Sequence, residues 1–236
     1  MILDPELEIE AEIVDDPEAD DYGFEKEIEL PDGMDIGYIP KLEPLWHIVA
    51  AITDVLLYSY IKAYEIFLVK GGRGGGKSES VAQILINIAR VEKTRILCTR
   101  EVQSSMKDSV KTMIEEWIET MGLQDEFIIR RDTIINKYTG TDFVFMGMKG
   151  GMQNNTIKSL KGFKYVWYEE AHSATIESLE KLDPTIRIDG RVLIFTYNSE
   201  TEHDAIEQYF DGKNKVYRIH INYYENPFCP QVLVDL

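Results

Sequence analysis

Between an apolar run and an amphipathic one, residues 71–78 read Gly-Gly-Arg-Gly-Gly-Gly-Lys-Ser. Ordering a glycine in regular structure costs about 0.5–1 kcal/mol relative to alanine, so a cluster of them serves something that side chains would obstruct. The flanks say what. The preceding 64–70, YEIFLVK, reads as a short apolar strand. The following 77–90, KSESVAQILINIAR, sets Val81, Ile84, Leu85 and Ile88 on one helical face. A flexible linker has no reason to sit between strand and helix, or to end in Gly-Lys-Ser. The spacing instead fits G-x-x-x-x-G-K-[ST], with Gly71, Gly76, Lys77 and Ser78 in the fixed places. In such a loop Gly71, Gly72, Arg73, Gly74, Gly75 and Gly76 wrap backbone N–H groups around phosphates. The helix N-terminus favours the same negative charge. Lys77 is then expected at the β- and γ-phosphates of ATP, and the Ser78 hydroxyl on Mg²⁺.

A phosphate loop needs acidic groups for the metal and for the attacking water. Residues 165–171, YVWYEEA, supply two carboxylates at the end of an apolar strand. Glu169, where such strands usually end in Asp, is expected to hold Mg²⁺ through its water shell. Glu170 is expected to act as general base. A Glu-Glu pair at a strand end is common on protein surfaces, and the loop upstream gives this one its meaning. Adjacent acids also favour hydrolysis over a small-molecule kinase. A third strand, RVLIFTYNSE at 191–200, places Thr196 and Asn198 after an apolar run. In a phosphate-loop ATPase with an additional strand between the loop strand and the acid strand, such residues orient water against the γ-phosphate. Without that strand order they are a polar strand exit.

The rest of the chain alternates strands and helices. A helix is expected over 44–63, a strand over 95–100, an amphipathic helix over 105–122 and an antiparallel excursion over 126–148 turning at Thr139-Gly140. Short helices follow near 173–183 and 203–210, with a last strand over 215–224. The expected fold class is α/β: a P-loop NTPase of the additional-strand, catalytic-glutamate type, its central, mainly parallel sheet flanked by helices.

Of 42 acidic and 25 basic residues, fifteen acids and one base fall in residues 1–35; 27 acids and 24 bases remain for the rest. Most of the net charge of −17 therefore sits in one segment, and the body is near neutral. Residues 1–40 read as an acidic N-terminal extension, partly disordered, and 41–236 as one ATPase domain. Cys98 and Cys229 suggest no disulfide framework and a reduced setting. No apolar run reaches the roughly 18 residues that span a bilayer, and no leader follows Met1, so no membrane partner is expected. His47, His172, His203 and His220 show no zinc-ligand spacing.

The segments KGGRGGGKS, RILCTREVQSSMKDSV, IKSLKGFKYVWYEEA, RVLIFTYNSE and INYYENPF, in this order, resemble the large subunit of bacteriophage terminases over about residues 40–236. Family members often carry Glu-Glu where other motors carry Asp-Glu, which suits Glu169. The family's T-x-N-Pro pattern is departed from at Ser199. The resemblance implies an ATPase domain that drives double-stranded DNA into a procapsid in the host cell cytoplasm. It also implies a ring, usually a pentamer, on a portal protein, with a small terminase subunit as partner. The family's C-terminal nuclease domain is expected to be absent from a chain ending at Leu236.

The resemblance also gives Arg73 a role on the γ-phosphate, with Arg100 and Arg187 as rival arginines. Lys149, Lys158, Lys161 and Lys164 form a basic stretch that is either a DNA contact or a solvated loop. Other readings of the residues remain a helicase-like translocase, a nucleotide kinase and a scaffold that binds ATP only to order itself.

Overall fold

The computed structural model describes residues 64–102, 110–151, 162–198, 204–221 and 223–226. Eight strands form one sheet: β1 (Ile66–Lys70), β2 (Arg95–Val102), β3 (Phe127–Ile129), β4 (Thr133–Asn136), β5 (Asp142–Gly147), β6 (Tyr165–Glu169), β7 (Val192–Tyr197) and β8 (Val216–His220). Five helices accompany them among the described residues: α1 (Lys77–Val91), α2 (Thr112–Thr120), α3 (Met148–Gly151), α4 (Ile176–Leu182) and α5 (Ala205–Phe210).

The strand order is β3-β4-β5-β2-β6-β7-β1-β8. From β5 to β8 every neighbour is parallel; β4 runs antiparallel to β5 and to β3. The loop-bearing β1 is thus separated from the acid-bearing β6 by β7, which is the additional-strand order expected from the sequence. Connections β1→β2 and β2→β5 travel one way along the sheet, whereas β5→β6, β6→β7 and β7→β8 travel the other. Right-handed crossovers then put α1 and α2 on one face and α3 to α5 on the opposite one. The packing agrees: α1 lies against α2, and α4 against α5.

Two covered faces explain the apolar runs. Every residue of β6 and β7 is buried, as are the first four of β1, because neither side of a central parallel strand meets water. Side chains alternate between faces along each strand. Ile66, Leu68, Val166, Tyr168, Leu193, Phe195 and Tyr197 join Leu179, Leu182, Ile206 and Phe210 in one core under α4 and α5. Their neighbours Phe67, Val69, Trp167, Ile194 and Thr196 face α1. Nearer the edge, β5 alternates half-buried and buried residues, the pattern of a strand covered on one side.

Two boundaries differ from the sequence reading. The stretch 126–148 holds three strands, β3 to β5, because the chain also turns between Ile129 and Thr133. The last strand stops at His220 rather than continuing to Tyr224; a 3-10 turn, Tyr223–Glu225, follows. The helix expected over 44–63, the first residues of the one expected over 105–122, and the acidic extension lie outside the described residues. No described helix is long and apolar enough to cross a membrane.

Candidate active site

The C-terminal ends of β1, β6 and β7 converge on one crevice, where open parallel sheets bind ligands. Gly71 through Gly76 leave β1 and enter α1. The turn into the helix is made by Gly76 at φ 71°, ψ 13°, a left-handed conformation with no side chain capping the helix. The first-turn amides of α1 therefore face the crevice without a side-chain acceptor, a ready anion site. At Gly71 glycine is needed for space: a Cβ there would lie 1.7 Å from the Ile221 carbonyl oxygen.

Lys77 begins α1 and is only 7% exposed. Its ammonium donates to the carbonyls of Gly71 at 3.1 Å and Gly72 at 2.7 Å, and to Oδ1 of Asn198 at 3.0 Å. Burial lowers its pKa to about 8, partly offset by the negative charge of Glu169. Ser78, one residue on, donates from Oγ to Glu169 Oε1 at 3.2 Å.

Glu169 is the last residue of β6 and buried; Glu170 follows, half exposed, at φ 52°, ψ 44°. A non-glycine residue in the left-handed region is uncommon, and such strain gathers at functional sites. Here it turns the second carboxylate off the strand line. Arg100, from β2, lies on the same face as Glu169. Its guanidinium pairs with Glu169 Oε2, and with Glu170 Oε1 at 3.0 Å. Burial raises the pKa of Glu169 and the adjacent Glu170 adds to this, while Arg100 and the Ser78 hydrogen bond oppose it.

The donor set fits Mg²⁺. That ion keeps several waters and takes one or two protein oxygens beside those of phosphates. Ser78 Oγ and Glu169 Oε1 stand side by side at the mouth of the anion site.

Thr196 is placed one layer below. It is 1% exposed, and its Oγ1 accepts the indole N–H of Trp167 at 2.9 Å. Asn198, two residues on along the same face, is the group that reaches Lys77. Arg73 is exposed on the loop and has no hydrogen bond or ion pair among the described residues. Arg187 lies beyond the opposite, N-terminal ends of the strands, before β7, with Nε donating to the Pro184 carbonyl at 2.6 Å. It is therefore remote from the loop of its own chain.

Of the basic stretch, Lys149 and Lys164 are the described residues, and they lie apart. Lys149 sits at the site end of the sheet and pairs with Glu101 at 3.0 Å. Lys164 sits at the other end, just before β6, and pairs with Glu92 at 2.7 Å. Lys158 and Lys161 lie outside the described residues.

Sequence reading missed two supports. Glu101, 3% exposed, points away from Arg100 because strand residues alternate. It accepts from Tyr168 Oη at 2.5 Å, Ser178 Oγ at 3.0 Å and Thr175 Oγ1 at 3.2 Å, tying α4 to the strand before the acids. The segment after β8 was legible only as a motif. Its Asn226 Nδ2 donates to the Gly74 carbonyl at 2.6 Å.

A family model described as phage terminase large subunit matches residues 63–235. The large terminase subunit of Bacillus phage SPP1 is 22% identical over 186 residues, covering 72% of this chain and 43% of that protein. The large terminase of the thermophilic bacteriophage D6E superposes with a TM-score of 0.63 at 13% identity, over 80% of this chain and 48% of that one. The same D6E protein in complex with ADP gives 0.62 at 12% identity, over 80% and 48%. Its complex with ATP-gamma-S gives 0.60 at 11%, over 80% and 47%. The chain thus spans less than half the length of these relatives. At these identities the superpositions establish a shared fold, and the family match over most of the chain establishes kinship: this chain belongs to the phage terminase large subunit family.

Proposed function

We propose that the domain formed by residues 41–236 hydrolyses ATP and couples that hydrolysis to the movement of double-stranded DNA into a viral procapsid. One observation carries the reading. Three strand ends bring a glycine loop with Lys77 and Ser78, the pair Glu169–Glu170 and the amide of Asn198 into a single crevice. The nucleotide complexes of the D6E large terminase support ATP as the substrate.

In this reading the loop amides and Lys77 bind the β- and γ-phosphates. Ser78 and Glu169 hold Mg²⁺, which when bound offsets charge on the phosphate oxygens. Glu170 takes a proton from water as that water attacks the γ-phosphorus, and the bond to the β–γ bridging oxygen breaks to release ADP and phosphate. Asn198 orients the γ-phosphate or the water, and Thr196 supports it from below through Trp167. Arg73 adds positive charge at the γ-phosphate, from its own subunit or a neighbouring one. The partners are double-stranded DNA, a portal protein, a small terminase subunit and further copies in a ring, a pentamer. The setting is the host cell cytoplasm, and residues 1–40 are an acidic appendage to the motor.

Glu170→Gln tests the reading. The variant is expected to bind ATP with near-normal affinity while phosphate release, with or without linear DNA, falls by about 10²-fold or more. Unchanged turnover would sink the assignment of the base. Transfer of phosphate to an added acceptor in preference to water would sink the hydrolase.

A further inference from the structure

The sheet order gives the phosphate loop a direction. On one side of β1 lie β7 and β6, whose ends carry Asn198, Glu169 and Glu170; on the other lies β8. Groups that act on a γ-phosphate mark the β7 side as that phosphate's end. The nucleoside end of the same molecule then points toward β8.

Ile221 and residues 223–226 stand at that side as a strap. The Ile221 amide donates to the Lys70 carbonyl at 2.8 Å, and Asn226 Nδ2 donates to the Gly74 carbonyl at 2.6 Å. Both pins fall on the loop or the residue before it. The fit is close: a Cβ on Gly75 would stand 3.3 Å from the Ile221 carbonyl oxygen, and one on Gly71 much nearer. Between the pins lie Tyr223 and Tyr224, 40% and 72% exposed. Their ring centroids are 5.7 Å apart and their planes cross at 77°. Each tyrosine is two residues from a pinned residue, within about 7 Å of chain travel. In an edge-to-face pair one ring braces the other and leaves its face open to a planar partner.

We propose that Tyr223 and Tyr224 form a nucleobase platform, on which the base of a nucleoside triphosphate stacks while the loop holds its phosphates. This deepens the nucleotide reading of the loop and rests on it. Stacking accepts any base, because every base has a π-face. The platform therefore adds affinity for the nucleoside without choosing among bases by hydrogen bonding. Tyr224, the more exposed ring, is the one offered to the base, and Tyr223 packs against it.

The test compares ATP with inorganic tripolyphosphate, which has the phosphates and no base, by calorimetric titration into the full chain. Wild type is expected to bind ATP the more tightly. Tyr224→Ala is expected to weaken ATP about tenfold, some 1.4 kcal/mol, and Tyr223→Ala by less. Both are expected to leave tripolyphosphate affinity unchanged, and Tyr224→Phe to retain ATP affinity. Unaltered ATP binding in both alanine variants would overturn the platform. So would a parallel loss of ATP and tripolyphosphate, which would make the strap a prop for the loop alone. If wild type bound neither ligand, the nucleotide reading itself would fall and the platform with it.

Discussion

Asn198, at the exit of β7, accepts a 3.0 Å hydrogen bond from the Lys77 ammonium, which belongs to the first turn of the helix after β1. That bond joins two strand ends far apart in sequence. It also ties the phosphate-binding cation to the amide proposed to face the γ-phosphate. Asn198→Ala is expected to lower kcat about 10²-fold, in the range of removing one positioned hydrogen-bonding group from a reacting centre. KM for ATP should change little, because Lys77 keeps its two loop carbonyls. Steady-state phosphate release gives both constants.

Arg100 is placed to neutralise two adjacent carboxylates, Glu169 and Glu170. Arg100→Ala leaves the buried Glu169 facing a like charge and is expected to destabilise the domain by about 3 kcal/mol. Arg100→Lys should recover only part of this, since a point charge cannot bridge both groups as a planar fork does. Adding Glu169→Gln to Arg100→Ala should restore part of the lost stability, because the uncompensated charge is gone. Urea unfolding of these three variants and of Glu169→Gln alone checks the sequence, and full additivity would remove the coupling.

The strap makes a prediction about glycines. Gly71→Ala pushes a methyl group into the Ile221 carbonyl, so the strap must lift. It is expected to lower Tm by several degrees and to weaken ATP binding. At Gly72 an added Cβ meets nothing within 4 Å, so Gly72→Ala should leave Tm within about a degree of wild type. Thermal melts of the two variants should therefore part clearly.

At the opposite end of the sheet Glu65 lies between Arg191, at 2.7 Å, and Lys215. Burial alone would raise its pKa, but the two cations outweigh that and hold it below the ordinary 4.5. A carboxylate depressed on folding stabilises the fold above its unfolded pKa, and the contribution is lost as pH falls through the folded value. Glu65→Gln should therefore lower Tm by about 2–4 °C at pH 7, and the gap to wild type should narrow as pH falls below 4.5. A gap that persisted there would point to packing rather than charge.

Much of the site was legible because its parts are local. Gly71 to Ser78 form one contiguous loop, and Glu169 with Glu170 end one apolar run, so spacing along the chain announces both. Thr196 and Asn198 were equally visible as polar residues after a strand. Their separation into a buried support and a group at the site was not, because it depends on which strand lies beside β7. Trp167 on β6 takes the Thr196 hydroxyl, and only Asn198 is left to meet Lys77. Lys149 and Lys164 are close in sequence yet lie at opposite ends of the sheet, because the chain between the parallel strands β5 and β6 must return from the C-terminal strand ends to the N-terminal ones.

By itself the sequence determined the chemistry on offer: a glycine loop with its lysine and serine, two carboxylates, and an alternation of apolar strands and helices that requires a covered parallel sheet. Periodicity and local spacing carry that information, since each element's residues are close along the chain. Only the tertiary structure decided who meets whom. The order β2-β6-β7-β1-β8 sets Asn198 against Lys77 and Arg100 between Glu169 and Glu170, and lays Ile221 and Asn226 on the far side of the loop. Lys77 and Asn198 are 121 residues apart, Arg100 and Glu169 69, and Gly74 and Asn226 152. Lateral strand order arises from the handedness of the crossovers and the burial of both sheet faces, which no local stretch of sequence encodes.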